Sequence, residues 1–302
     1  MYEKRIDRLF SRPAFMKEVQ KAETNQRFII EIASFIVFFL VYFKLTKMGG
    51  AYIKTLDSSA WPVGSPEAII NFLNIIGIVG AIACCWFIEK RPPRGLGYVK
   101  AGLGSEYLVG IAAGFIGFVA CVGFGMLAGV VKINGLMPDI AWGSILFLFV
   151  SYMVQGMTEE VITRGYLMVT LSQKLPLWAS AVISAAFFSL AHIKATGLNF
   201  LPLFNIFIVG VFLALVILRR GSIWMAAGFH TAWNFTQGNL FGFSVSGHEK
   251  SAAILSAQIA EGNPILTGGS FGLEASIFTT LTTIVLITIV FLVKPIDRSA
   301  QA

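Results

Sequence analysis

Ionisable side chains are rare inside the apolar runs of this sequence, and those that occur gather in three short segments. The first is Gly156-Met157-Thr158-Glu159-Glu160-Val161-Ile162-Thr163-Arg164-Gly165. On a helix Glu160 and Arg164 share a face and can pair, with the glutamate N-terminal to the arginine. Glu159 then points about 100° away, outside that pair. One carboxylate is anchored and its neighbour is available as a base. Two such close carboxylates also push their titrations apart. The second segment, Phe187-Phe188-Ser189-Leu190-Ala191-His192, ends an apolar helix with Phe188 and His192 on one face. The third, Gly228-Phe229-His230-Thr231-Ala232-Trp233-Asn234, sets His230 and Asn234 one turn apart, so that both can aim at one point. Hydrolytic chemistry needs a carboxylate or imidazole base and donors such as His and Asn for an oxyanion. Glu159, Glu160, His192, His230 and Asn234 supply that set. Glu159, His192 and His230 also make a possible three-ligand zinc shell.

The elements that must carry these residues are membrane helices. The chain has 302 residues, 56% hydrophobic and only 13% charged. Soluble domains carry about 25% charge, so the composition points to an all-α polytopic membrane protein. Eight spans are expected, near 28–45, 67–88, 106–131, 140–163 or longer, 177–193, 200–218, 222–240 and 275–293. They form one transmembrane domain over 28–302, enclosing an intramembrane cavity, with its catalytic core at about 140–240. Residues 1–27 form a basic cytosolic segment that is either an amphipathic surface element or a solvated tail. With the N-terminus inside, 17 of the 23 Lys and Arg fall on the cytosolic side, and both termini are expected there. The net charge of +7 reflects this bias and not a nucleic-acid partner. Cys84, Cys85 and Cys121 lie in apolar runs and read as small buried residues. No cleavable signal peptide is expected. Glu31, Glu67, Glu106, Asn71, Asn74 and Asn205 read as interfacial anchors or interhelical hydrogen-bond partners. The connection 241–274 is long enough to be either ordered around a function or mobile.

The three segments in this order resemble the signature motifs of the CAAX-protease and bacteriocin-processing family: Glu159-Glu160-x-x-x-Arg164, Phe188-x-x-x-His192 and His230-x-x-x-Asn234. The stretch from Leu266 to Glu274 is similar to a loop of bacterial members, which points to a bacterial cell membrane. The resemblance implies an eight-helix intramembrane endopeptidase acting on a membrane-associated peptide, prenylated or leader-type, in the bilayer. It implies that Glu159 activates water with help from His192. His230 and Asn234 would stabilise the oxyanion, while Glu160 and Arg164, with Phe188, support the site. The family's chemistry is described both as metallo- and as glutamate-dependent, and either suits these residues. Two other functions share the pattern: a non-catalytic immunity or partner-binding relative, and a proton-coupled transporter. The intact motif set argues against the first, and the lack of a repeated half argues against the second.

Joint chemistry sets geometric conditions. His230 lies roughly 13 Å along its helix from Gly221, near mid-depth. A fourth helix ending at Arg164 would leave Glu159 near the cytosolic face. It must therefore continue, to about residue 173, and the turn at 193–200 must sink below the outer surface. Glu159 must also lie within about 12 Å of His192 and His230, because catalytic partners act within hydrogen-bond reach or through one water.

Overall fold

The computed structural model describes residues 12–20, 25–248 and 252–293. The apolar runs form eight long helices among these residues, preceded by a short one, α1 (Ala14–Gln20). They are α2 (Asn25–Thr55), α3 (Ser65–Ile88), α4 (Leu103–Leu127), α5 (Trp142–Leu171), α6 (Leu177–Ala191), α7 (Phe200–Arg220), α8 (from Trp224 through a wide π turn to Leu240) and α9 (Ile277–Leu292). Helices α2, α3, α4, α5 and α7 are long and apolar enough to cross a membrane, while α6 and α9 are shorter apolar helices.

The exterior of the bundle is apolar, unlike that of a soluble domain, and charged and polar groups are set within its largely apolar interior. Ile30, Val37, Leu108, Ile116, Leu146 and Ile284 are exposed, whereas Glu31, Glu106, Glu160, Arg164 and Asn205 are buried. Each buried polar group must be satisfied inside the protein, because lipid cannot hydrogen-bond it. Arg220 at the end of α7 donates to both carboxylate oxygens of Glu106 at the start of α4, at 2.8 and 2.5 Å. Gln173 donates to Glu31 at 2.8 Å, Tyr152 to Glu67 at 3.1 Å and Asn71 to Ser151 at 3.2 Å. Tyr42 donates to Asn74 at 2.5 Å. The interhelical role expected for these residues is the one they have.

Two helices form the centre. Every residue of α8 from Ala226 to Asn234 is buried, and so is every residue of α5 from Glu160 to Leu171. The fourth helix thus continues past Arg164 to Leu171, as joint chemistry requires, through a π-helical stretch at Val161–Met168. Such widened turns have poorer hydrogen-bond geometry and concentrate at functional sites. Helix α8 packs on α4 and α5, while α7 packs on α6 and α9. The α4–α8 contact is made by small residues. A Cβ on Gly228 would lie 2.2 Å from the Tyr107 carbonyl oxygen, and one on Gly110 would lie 2.2 Å from that of Met225. Gly156 likewise lets α5 approach the Thr231 backbone of α8.

Two boundaries differ from expectation. The first span runs on to Thr55, because Lys44, Lys47 and Lys54 ride on the helix instead of ending it. The third helix stops at Leu127, and Val131–Leu136 turns into a strand, β1. It pairs antiparallel with β2 (Leu255–Ile259) from the long connection after α8. That connection is therefore ordered over its described residues. The basic N-terminal segment contributes α1, whose Phe15, Met16 and Val19 are buried in one cluster with Leu96. Phe10 lies outside the described residues.

Gly228→Ala is expected to force α4 and α8 apart and destabilise the protein by about 1–3 kcal/mol, read as a lower thermal midpoint in detergent. Gly104→Ala, where a Cβ meets nothing within 4 Å, should leave the midpoint unchanged or slightly raised.

Candidate active site

The i,i+4 spacing of the first motif produces the contact it promised. Arg164 Nη1 lies 2.9 Å from Glu160 Oε1, with both side chains fully buried. Arg164 also donates to Thr163 Oγ1 at 2.9 Å, and Thr163 donates back to the Glu159 carbonyl. The guanidinium rests over the Phe188 ring, 4.4 Å from its centroid, a favourable cation–π placement. Gly210 of α7 makes room for it, since a Cβ there would lie 3.0 Å from Arg164 Nη2.

His230 stands between the two glutamates. Its Nδ1 is 2.9 Å from Glu160 Oε1 and its Nε2 is 3.4 Å from Glu159 Oε2. The Arg164-bound Glu160 carboxylate only accepts, so Nδ1–H donates to it. That leaves Nε2 facing Glu159. A lone pair opposite a carboxylate oxygen would be repulsive, so a proton belongs between the two atoms. His230 was expected as an oxyanion donor or a zinc ligand; the fold also makes it the link between the paired carboxylates.

Glu159 is partly open, its side chain 22% exposed, while that of Glu160 is 0%. It faces a small cavity of about 50 Å³ together with His192, His230, Asn234 and Phe188. The first three are the residues the sequence motifs singled out beside it. Phe188 holds the two imidazoles, edge to face, at centroid distances of 5.0 Å for His192 and 5.9 Å for His230. His192 Nδ1 lies 2.8 Å from the Phe188 carbonyl. A carbonyl only accepts, so Nδ1–H donates to it and Nε2 is the ring nitrogen left for other partners.

Two cavity residues lay outside the expected site. Gln155 donates to Glu159 Oε1 at 2.8 Å and accepts from Asn234 Nδ2 at 3.2 Å. Its only sequence signal is a polar residue one turn before Glu159. Glu274, in the connection between α8 and α9, lines the same cavity and accepts from the Ser246 backbone N–H. Burial pushes its carboxyl up, against that hydrogen bond. Asn205 holds this connection in place by donating to the Glu274 and Ser276 carbonyls at 2.9 and 2.8 Å. His248 lies in that connection and does not line the cavity.

A catalytic zinc takes three protein ligands. Among the described residues no three His, Cys, Asp or Glu side chains converge closely enough to hold a metal ion. Glu159 and His230 meet, but His192 stands apart against the Phe188 ring. The Glu159–His192–His230 shell expected as one option is thus not assembled by this geometry.

A bundle of long apolar helices with a glutamate, two imidazoles and a carboxamide on one internal cavity defines a polytopic membrane protein with a glutamate–histidine cluster in its interior. Residues 141–236, about a third of the chain, match the family model described as type II CAAX prenyl endopeptidase Rce1-like. Over that segment the chain is similar to the CAAX protease family of membrane peptidases. The match begins at the start of α5 and ends within α8, so it contains all three motifs and leaves out Glu274. No curated protein matches the chain.

Glu160→Gln should destabilise the protein by about 3–5 kcal/mol, because it leaves the Arg164 guanidinium buried without its counter-charge. Glu159→Gln, at a partly open carboxylate, should change stability far less. Thermal unfolding of the two variants in detergent, side by side, checks the assignment of one glutamate to structure.

Proposed function

We propose that the protein is a glutamate-dependent intramembrane endopeptidase that hydrolyses a peptide bond in a prenylated or leader-type membrane-anchored substrate. The observation that carries this reading is the convergence of Glu159, His192, His230 and Asn234 on one cavity, with His230 Nε2 3.4 Å from Glu159 Oε2. Glu159 takes a proton from a water in the cavity, and the His192 Nε2 lone pair orients that water. The resulting hydroxide adds to the scissile carbonyl carbon. The carbonyl oxygen becomes an oxyanion, which accepts hydrogen bonds from His230 Nε2–H and a free Asn234 N–H. Collapse of the tetrahedral intermediate breaks the C–N bond. Glu159 returns its proton to the leaving amine, so one water is consumed and the base is restored. Glu160 and Arg164 keep the His230 imidazole in register without touching substrate.

The lysine and arginine distribution supports cytosolic termini for this enzyme. The α4–α8 and α5–α8 contacts support a rigid site, because both rest on backbone-to-backbone approach.

Cleavage of a fluorogenic prenylated peptide in liposomes tests the reading. Glu159→Gln should lower turnover by about 10²–10⁴-fold, and Asn234→Ala by about 10²–10³-fold, with folding retained in both. Wild-type turnover in Glu159→Gln would remove the peptidase assignment.

A further inference from the structure

The proposed mechanism uses two groups that must keep a fixed relation, the Glu159 carboxylate and the Asn234 carboxamide. They sit on different helices, and one side chain bridges them. Gln155 is half-buried on the cavity wall of α5. Its Nε2 donates to Glu159 Oε1 at 2.8 Å, and its Oε1 accepts from Asn234 Nδ2 at 3.2 Å.

The polarity of this bridge follows from donor and acceptor chemistry. A carboxylate oxygen only accepts, so the NH₂ end of Gln155 must face Glu159. The carbonyl end of Gln155 then faces Asn234, and an acceptor there demands the NH₂ end of Asn234. One Asn234 N–H is taken up by this bond. The other stays in the cavity, and the Asn234 carbonyl oxygen is turned away from Gln155. A carboxamide at 155 therefore sets which end of Asn234 is presented. An ionised glutamate of the same length would offer acceptors only. The same bridge occupies Oε1 of Glu159, leaving Oε2 as the oxygen beside His230.

We infer that Gln155 is a positioning residue that locks the water-activating carboxylate of Glu159 and the oxyanion-donating amide of Asn234 into one array. This rests on the hydrolytic reading of the site. The bridge itself is independent of that reading and is open to a separate measurement.

Two variants test it on the full-length protein in liposomes. Gln155→Leu removes both bonds. Gln155→Glu keeps the shape but cannot donate to Glu159 while ionised, and sets a like charge against it. Each should lower kcat about 10²-fold with KM changed less than about twofold, and with an unchanged thermal midpoint. Adding Asn234→Ala to Gln155→Leu should cost much less than the product of the single effects, because the two residues act as a unit. The independent readout is the infrared carboxylate band of Glu159, identified by its loss in Glu159→Gln, which should shift in Gln155→Leu. A purely structural role would lower the thermal midpoint and leave that band in place. An unmoved band, wild-type kcat or fully multiplicative effects would each overturn the inference. A shifted band in a protein that cleaves nothing would uphold the bridge and reject the peptidase reading instead.

Discussion

A positive charge held inside an apolar bundle has to be neutralised where it sits, and the guanidinium of Arg164 imposes that demand on its surroundings. It is fully buried, and an isolated ion moved into such an interior loses several kcal/mol of solvation even after relaxation. Glu160 answers the charge, Phe188 of α6 offers its ring face, and Gly210 of α7 leaves the space. Glu160 shares the same oxygen with His230 of α8. Four consecutive helices, α5 to α8, are thus tied to one cation. They are also the helices that the family match covers.

The two adjacent glutamates show how helix geometry divides labour between like side chains. A rotation of about 100° per residue turns Glu160 into the charge cluster and Glu159 into the cavity. Identical chemistry then meets different surroundings. One carboxylate is enclosed with a cation and an imidazole. The other keeps an open side and meets Gln155 and His230. His230 touches both, so the orientation of the imidazole at the cavity is set by the group that never reaches it.

Much of this was legible from spacing. The Glu160–Arg164 pair and the shared face of His230 and Asn234 are local consequences of 3.6 residues per turn, and both appear where expected. The continuation of α5 past Arg164 followed from asking where Glu159 must sit for chemistry. Other features were set by tertiary contact. The β1–β2 pairing joins residues more than a hundred positions apart, and β1 begins in an apolar run that reads as the tail of α4. Gln155 looked like any polar residue in a helix until Asn234 arrived from α8. Glu274 reaches the cavity only because Asn205 draws its loop inward. Lys44, Lys47 and Lys54 suggested an early end to α2, yet a helix can extend beyond the bilayer core once its carbonyls find water.

The glycine-lined seam between α4 and α8 restricts how the cavity can open. Side chains that interdigitate can swap rotamers and let one helix slide past another by degrees. Bare backbones in contact have no such intermediate positions. They stay closed or they part, and parting exposes peptide groups to hydrocarbon. Helix α8 is therefore the fixed side of the cavity, and a substrate of the proposed peptidase would have to enter past the other walls: α6, α7 or the connection that carries Ser246 and Glu274.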